Sequence, residues 1–192
     1  VCSMKSRELQ RETSAGSNRE LVLVIPNIRS AHNVGSLFRT ADGAGFSKVY
    51  LCGYTPTLVD RFGRIGKAQK EIAKTALGAE RAVPSEYVPK LSSVVKKLKR
   101  DGFIIIGLEQ DEKSIKFGSN NAEEKTAAAD FKKLIKTSSK TALVVGEEVG
   151  GMTAADKKLM DHLLELPMGG TKESLNVSVA GGIAMYLISY LA

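Results

Sequence analysis

The sequence is poor in the residues that cross-link small folds or hold metal ions. It contains no tryptophan, two cysteines and two histidines. Cys2 and Cys52 lie far apart and are too few for a disulfide framework or a metal cluster, and the two histidines add no ligand spacing. The composition therefore predicts neither a disulfide scaffold nor a bound metal, and it favours a reducing, cytoplasmic environment.

Long hydrophobic runs are also missing. No apolar run near the N-terminus resembles a signal peptide, and the uncharged stretch from Leu175 to Ala192 is interrupted by Asn176, two serines and the Gly181-Gly182 pair. A membrane-spanning helix needs about 20 consecutive apolar residues. We therefore expect no membrane segment.

What the chain does have is apolar content for one core and an excess of positive charge. Of its 192 residues, 43% are hydrophobic and 26% are charged, which is sufficient for a single substantial core. Lysine and arginine outnumber aspartate and glutamate by 28 to 21, and the net charge of +7 favours a polyanionic partner. Because residues 1–19 are polar and lack an apolar face, we predict a flexible N-terminal arm followed by one domain over residues 20–192.

Strand-like and helix-like patterns alternate along this domain. Short runs of β-branched and apolar residues predict strands at 21–26, 48–52, 103–108, 141–145 and 162–166. Helical spacing follows the first strand and recurs within 86–100 and 126–137, and a last helix is expected from Ser174 to the end of the chain. This alternation predicts an α/β fold, a parallel sheet with helices on both faces. The irregular connections at 54–70 and 109–125 have the length of functional loops.

Three polar segments that contain glycine each follow a predicted strand, at the edge where open α/β sheets bind ligands. They are NIRSAHNVGSLFRT at 27–40, GEEVGGM at 146–152 and LPMGGTKESLNV at 166–177. Each has an ordinary alternative interpretation: a helix capped by Asn33 with a surface arginine, a glycine-rich turn, and a turn in which Ser174 caps the next helix. None of them is a Walker A loop or a GxGxxG dinucleotide fingerprint.

Taken together, the order and spacing of these segments resemble the TrmH/SpoU family of tRNA and rRNA ribose 2′-O-methyltransferases, within the SPOUT superfamily. The matching patterns are N-V-G…F-R-T-A-D, V-V-G-x-E-x-x-G-M and L-P-M-x-G…S-L-N-V-S-V-A, with a looser match at K-T-A-L-G-A-E, residues 74–80. The resemblance extends from about Leu21 to Leu191. It implies a C-terminal trefoil knot, S-adenosylmethionine as the methyl donor, tRNA or rRNA as the substrate, and a homodimer.

The resemblance also implies roles for matching positions. Arg39 corresponds to the catalytic arginine, and Asn33 to an asparagine that supports the RNA side of the pocket. The other catalytic candidates are the second motif's glutamate and a polar pair from the third motif, namely Glu148, Ser174 and Asn176. The donor pocket is implied to form largely from backbone, at Gly146, Leu166, Met168 and Leu175, with Ser174 beside them.

Arg39 and Glu147 raise separate chemical questions. A guanidinium is a poor general base because it remains a cation at the pH at which proteins work, so Arg39 is expected instead to stabilise the developing alkoxide as a fixed positive charge. Glu147 departs from the family pattern, because many relatives have asparagine or alanine there. Its carboxylate either acts at the pocket rim or points to solvent, and the sequence leaves both open.

Basic residues in the first long connection are the candidates for RNA phosphate contacts. They are Arg61, Arg64, Lys67 and Lys70. A second basic run, from Lys96 to Arg100, is interpreted instead as a solvated helix face. His32 and His162 are expected to have surface and structural roles rather than catalytic ones.

The last predicted helix has an unusually wide apolar stripe. It consists of two rows, one with Leu175, Val179, Ile183 and Leu187 and one with Ala180, Ala184, Ile188 and Leu191. A stripe of this width predicts a homodimer interface on the helix, and the alternative is that both rows are buried within one subunit.

Two other functions stay open at this point. An RNA-binding SPOUT-fold protein without methyltransferase activity would be favoured by loss of Arg39 or Asn176, and both residues are present. A nucleotide- or NAD-binding enzyme would need a glycine fingerprint after the first strand, where the chain has NIRSAHNVG instead.

Overall fold

A computed structural model describes residues 19–59, 62–118, 121–148 and 150–190. The strands within these ranges are β1 (Glu20–Pro26), β2 (Lys48–Cys52), β3 (Ser85–Val88), β4 (Ile104–Leu108), β5 (Ile115–Lys116), β6 (Lys140–Val145) and β7 (His162–Glu165). The helices are α1 (Ala31–Gly43), α2 (Lys67–Ala76), α3 (Ala79–Ala82), α4 (Leu91–Arg100), α5 (Ala122–Thr137), α6 (Ala154–Lys157) and α7 (Val177–Tyr190). The predicted N-terminal arm, apart from Arg19, lies outside the described residues.

All seven strands form one parallel sheet in the order β3-β2-β1-β6-β4-β7-β5. Side chains alternate between its faces: Leu23 and Ile25 of β1 join the buried cluster that includes residues of α1 and α7, whereas Val22 and Val24 join the cluster that includes Val94 of α4. The predicted α/β class, with helices on both faces of a parallel sheet, is therefore confirmed.

The prediction of a helix over 86–100 was wrong in its first part. Ser85–Val88 is the edge strand β3, and the helix begins only at Leu91. Pro84 and Pro89 bracket the strand, and a proline disfavours the helical conformation of the residue before it. The two-residue strand β5 was missed because a run of that length shows no periodicity.

Two other boundaries also differ from the prediction. The connection at 54–70 ends early, because α2 begins at Lys67. The last helix begins at Val177 rather than Ser174, and Asn176 occupies its N-cap: the Asn176 carbonyl accepts from the Ala180 amide at 2.9 Å, and its Oδ1 accepts from the Ser178 amide at 2.8 Å. Ser174 therefore does not cap this helix.

Helices α1 and α2 are in close contact at Gly35. A Cβ at this position would overlap the Thr75 hydroxyl and the backbone carbonyl oxygen of Ile72. The Thr75 hydroxyl also donates a hydrogen bond to the carbonyl of His32 at 2.9 Å. The K-T-A-L-G-A-E segment is thus packed directly against the helix of the first motif.

Helix α7 divides its two apolar rows between the core and the surface. Ala184 and Ile188 are buried within the subunit, and a Cβ at Gly181 would lie only 2.7 Å from Leu37 Cδ2, so the glycine serves packing inside the subunit. By contrast, Val179 and Ile183 of the other row are exposed. Leu191 lies outside the described residues. No helix in the described ranges is both long and apolar enough to cross a membrane.

The tight α1–α2 contact can be tested with a single methyl group. Gly35→Ala should lower the free energy of unfolding by about 2–3 kcal/mol, because the methyl meets a backbone carbonyl that cannot rotate away. Gly66→Ala is the matched control, since a Cβ there meets no atom of the described residues within 4 Å. Urea unfolding of both variants provides the measurement, and equal midpoints would contradict the close approach.

Candidate functional site

The three motif segments surround one cavity of about 620 Å³ at the carboxyl ends of the strands. The first segment contributes Asn33, and the other two contribute most of the wall. Eight of the predicted site residues line the cavity: Asn33, Gly146, Glu148, Leu166, Met168, Ser174, Leu175 and Asn176. Segments separated by more than a hundred residues in sequence therefore meet at a single site.

Glu148 joins the second motif to the first. One of its carboxylate oxygens accepts hydrogen bonds from the backbone amides of Arg29 at 3.1 Å and Ser30 at 3.3 Å, just before α1. The other accepts from Asn33 Nδ2 at 2.5 Å. A negative charge is favourable near a helix N-terminus, where backbone N–H groups lack partners within the helix. Glu148 thus fixes both the start of α1 and the orientation of the Asn33 side chain.

Asn33 in turn joins the first motif to the third. Its Oδ1 accepts a hydrogen bond from Asn176 Nδ2 at 3.2 Å and lies 3.4 Å from the Ser178 hydroxyl. The helix cap expected at Asn33 is instead Ser30, whose hydroxyl accepts from the Asn33 amide at 3.2 Å. Ser178, which sequence analysis missed, also donates to Asn176 Oδ1 at 2.7 Å. Ser174 lines the same cavity with its side chain exposed.

Glu147 points inward to the protein rather than into solvent. Its carboxylate accepts a hydrogen bond from the side-chain amide of Asn27, which has a left-handed backbone conformation with φ of 51°. Asn27 Oδ1 lies where a Cβ of residue 53 would be, which explains the glycine at that position. Glu147 therefore ties the second motif to the ends of β1 and β2.

Glu109 is a cavity residue that sequence analysis did not identify. Its carboxylate accepts from the Met152 amide at 2.5 Å and the Gln110 amide at 3.0 Å. It also fills the space that a side chain at Gly151 would need, where φ is 61°. The available signal was an acidic residue directly after a predicted strand, at the ligand-binding edge of the sheet.

The cavity is acidic although the protein as a whole is basic. Among the described residues, its lining includes five carboxylates, from Glu109, Glu147, Glu148, Glu165 and Glu173, and no lysine or arginine. Within the described residues, none of the five forms a salt bridge, and no three carboxylate, imidazole or thiol groups gather closely enough to hold a metal ion. Such a lining creates a negative potential that favours a positively charged ligand.

Arg39 does not reach this cavity. It lies on the exposed face of α1, and its side chain has no hydrogen bond or ion pair with any described residue. Six helical positions separate it from Asn33, which corresponds to roughly 9 Å along the helix axis and about 120° around it. The structure thus separates the predicted catalytic arginine from the other candidates in the same chain.

The predicted RNA-binding residues occupy two different settings. Arg64 is exposed, with its guanidinium carbon 4.9 Å from the centre of the Phe62 ring. Lys67 and Lys70 are exposed on the first turn of α2 rather than in a loop, which is a correction to the prediction. Arg61 lies outside the described residues.

Other singled-out groups have ordinary structural roles. His32 pairs with Glu71 at 3.1 Å on the surface, and the His162 ring contacts the Phe131 ring edge-on. In the basic run of α4, Lys97 and Lys99 pair with Glu86 and Asp161, as expected for a solvated face. Burial raises the pKa of the Cys52 thiol to about 12, so this residue is not a ready nucleophile.

A parallel α/β domain whose strand-end cavity is built from these three segments has the fold of solved RNA methyltransferases. An A. aeolicus TrmH/SpoU tRNA modifying enzyme superimposes with a TM-score of 0.69 over 97% of this chain and 83% of that chain, at 24% identity. An AdoMet-bound rRNA methyltransferase from Sinorhizobium meliloti also gives a TM-score of 0.69, over 88% of this chain and 55% of that chain, at 20% identity. The chain belongs to the SpoU rRNA Methylase family, whose model matches residues 20–186.

Sequence relatives support the same assignment. The 23S rRNA (guanosine-2′-O-)-methyltransferase RlmB of Ralstonia nicotianae is 32% identical over 86% of this chain and 57% of its own length. RlmB of Xanthomonas axonopodis pv. citri is 27% identical over 93% of this chain and 62% of its own length. The chain thus spans about three fifths of the length of these relatives.

The linking role of Glu148 predicts a stability effect. Glu148→Ala should lower the free energy of unfolding by about 1–2 kcal/mol, because three donors lose their acceptor. Glu165→Ala is the control: it removes a carboxylate from the same cavity whose side chain has no hydrogen bond with any described residue. Urea unfolding at neutral pH should separate the two variants, and equal losses would contradict the linking role.

Proposed function

We propose that the chain transfers a methyl group from S-adenosylmethionine to a ribose 2′-hydroxyl of tRNA or rRNA. The observation that carries this proposal is the convergence of the three family motifs on one acidic cavity. Its volume of about 620 Å³ lies within the range typical of small-molecule sites. The named activities of the RlmB relatives agree with it.

The cavity's residues fit S-adenosylmethionine. The backbone around Gly146, Leu166, Met168 and Leu175 forms a wall suited to a flat, partly apolar nucleoside. The carboxylates of the lining complement the positive sulfonium and ammonium groups. When bound, the donor supplies a methyl group activated by the positive sulfonium.

The polar side of the cavity is suited to holding the ribose. Asn33, Asn176 and Ser178 form one hydrogen-bonded group, with Ser174 exposed nearby. These side chains would orient the 2′-hydroxyl for in-line attack on the methyl group. The Arg39 guanidinium would act as a fixed cation that stabilises the developing alkoxide, while a phosphate oxygen or water would accept the hydroxyl proton.

A homodimer would bring Arg39 to the site. Arg39 is remote from the cavity of its own chain, whereas Leu175, two residues before α7, lines the cavity and is exposed at the start of the apolar row that continues along the helix. That row continues through Val179 and Ile183, so an interface on it would border the cavity mouth. In this arrangement Arg39 of a second subunit completes the site, and RNA phosphates contact Arg61, Arg64, Lys67 and Lys70.

The family's trefoil knot also fits the chain path. Gln110 Nε2, after β4, donates to the carbonyl of Glu173, in the segment between β7 and α7, at 2.7 Å. We propose that this late segment threads a loop formed earlier in the chain and so makes the knot. An experimentally phased electron-density trace through residues 109–121 and 166–177 would check the crossing.

The proposed activity predicts alkali-resistant linkages in RNA. Purified protein, methyl-labelled S-adenosylmethionine and a mixture of tRNA and rRNA should yield labelled dinucleotides after alkaline hydrolysis, because a methylated 2′-oxygen cannot attack the adjacent phosphate. Donor binding without labelled dinucleotides would contradict the activity and favour an RNA-binding protein that does not methylate.

Completion of the site by a second subunit predicts complementation. The turnover of each single variant, Arg39→Ala and Asn176→Ala, should be below about a tenth of the wild-type value. When the two variants are mixed and allowed to exchange subunits, about a quarter of wild-type activity should return, since half of the dimers contain one intact site. A mixture as inactive as its components, despite subunit exchange, would contradict the shared site.

The acidic lining predicts that the donor binds more tightly than its demethylated product, S-adenosylhomocysteine. The donor carries one net positive charge at neutral pH and the product none, so the ratio of affinities should be about fivefold at low salt and should shrink as salt increases. Glu165→Gln should reduce this ratio, whereas Asp130→Asn, on the exposed face of α5, should not. Calorimetry measures the affinities of the donor and the product for each variant, and tighter binding of the product to the wild-type protein would contradict the prediction.

A further inference from the structure

An exposed aromatic ring lies beside a cation just beyond the carboxyl end of β2. Tyr54, two residues beyond the end of β2, is 54% exposed. The guanidinium carbon of Arg29 lies 5.8 Å from the centre of its ring, within the range of a cation–π contact. Arg29 belongs to the first motif segment, yet the resemblance to relatives gave it no role.

Backbone hydrogen bonds hold this pair against the cavity wall. The Tyr54 amide donates to Asn27 Oδ1 at 3.4 Å, and Asn27 donates to Glu147. The Arg29 amide donates to Glu148 Oε2 at 3.1 Å. Glu147 and Glu148 both line the cavity. The backbone amide of Arg29 is therefore bonded directly to the cavity wall, and that of Tyr54 is linked to it through the Asn27 side chain. Their side chains stay available for an external ligand.

The same combination occurs again farther along this connection. Phe62 is 65% exposed, and the Arg64 guanidinium carbon lies 4.9 Å from its ring centre. An aromatic ring can stack on a nucleobase, and an adjacent guanidinium can bind the phosphate or stack on the same base. The flanking charge is positive in both pairs, which suits a polyanion better than an acidic or purely apolar partner.

We propose that Tyr54 and Arg29 form a stacking platform for an unpaired RNA base next to the ribose that is methylated. The inference rests on the proposed function, because it assigns the platform to the same RNA. Base stacking is tolerant of sequence, so the platform would select an unstacked nucleotide rather than a particular base. Tyr54 would position the substrate and would not touch the reacting atoms.

The absence of tryptophan makes the test direct, because the five tyrosines dominate the intrinsic fluorescence. The probe is an oligoadenylate of about twelve ribonucleotides, a length within the usual range of single-strand sites. Its binding should quench tyrosine emission in the wild-type protein. Tyr54→Ala should weaken its binding about five- to tenfold and remove most of the quenching, whereas an abasic oligomer of equal length should bind wild type and Tyr54→Ala alike.

Conservative and control variants separate stacking from a general structural effect. Tyr54→Phe keeps a ring, so it should recover most of the lost affinity while the quenching stays absent. Tyr190→Phe, at an exposed tyrosine of α7, should keep both affinity and quenching. Arg29→Ala should lower the slope of log affinity against log salt by about one, because one phosphate contact is lost.

The outcomes also distinguish this inference from the proposed methylation. The platform is supported if Tyr54→Ala loses both quenching and affinity while Tyr54→Phe loses quenching alone. This result would support it even if the protein fails to methylate RNA. Unchanged oligoadenylate binding by a folded Tyr54→Ala variant, or equal losses with the abasic oligomer, overturns the platform even if methylation is observed. Equal melting temperatures of wild type and variant establish that the variant is folded.

Discussion

The candidate site depends on the hydrogen bonds that Glu148 accepts at the start of α1. A side-chain amide can face either way, and Glu148 sets its orientation at Asn33 by accepting from Nδ2. Oδ1 is then turned toward Asn176 and Ser178. The arrangement of the third motif therefore follows from a carboxylate in the second and an amide in the first, and no one of the three segments forms the polar wall by itself.

Charge is separated over a short distance around this site. Carboxylates line the cavity, whereas Arg29, Arg64 and Lys67 are exposed outside it. In the proposed mechanism this separation directs RNA and S-adenosylmethionine to different places. The RNA backbone is attracted to the basic surface around the cavity and repelled by the carboxylates inside it. Only the sugar needs to approach the wall, while the positively charged donor is favoured inside.

The sequence was most informative where physical constraints are local. Continuous apolar runs identified five of the seven strands, and the glycine-containing segments that follow three of them identified most of the cavity lining. The sequence was least informative where contacts between distant segments determine the conformation or the role of a residue. The strand Ser85–Val88 is too short to outweigh a helical pattern beside it, and the role of Glu109 depends on contact with Met152, which is distant in sequence. The separation of Arg39 from the cavity needed the three-dimensional position of α1.

The contact at Gly35 has a mechanical consequence. Since there is no clearance between α1 and α2 at this point, neither helix can slide or tilt without displacing the other. Lys67 and Lys70 stand on one helix of this pair and Asn33 on the other. A displacement of the helix that bears the two lysines would therefore be passed through this contact to the helix that bears Asn33.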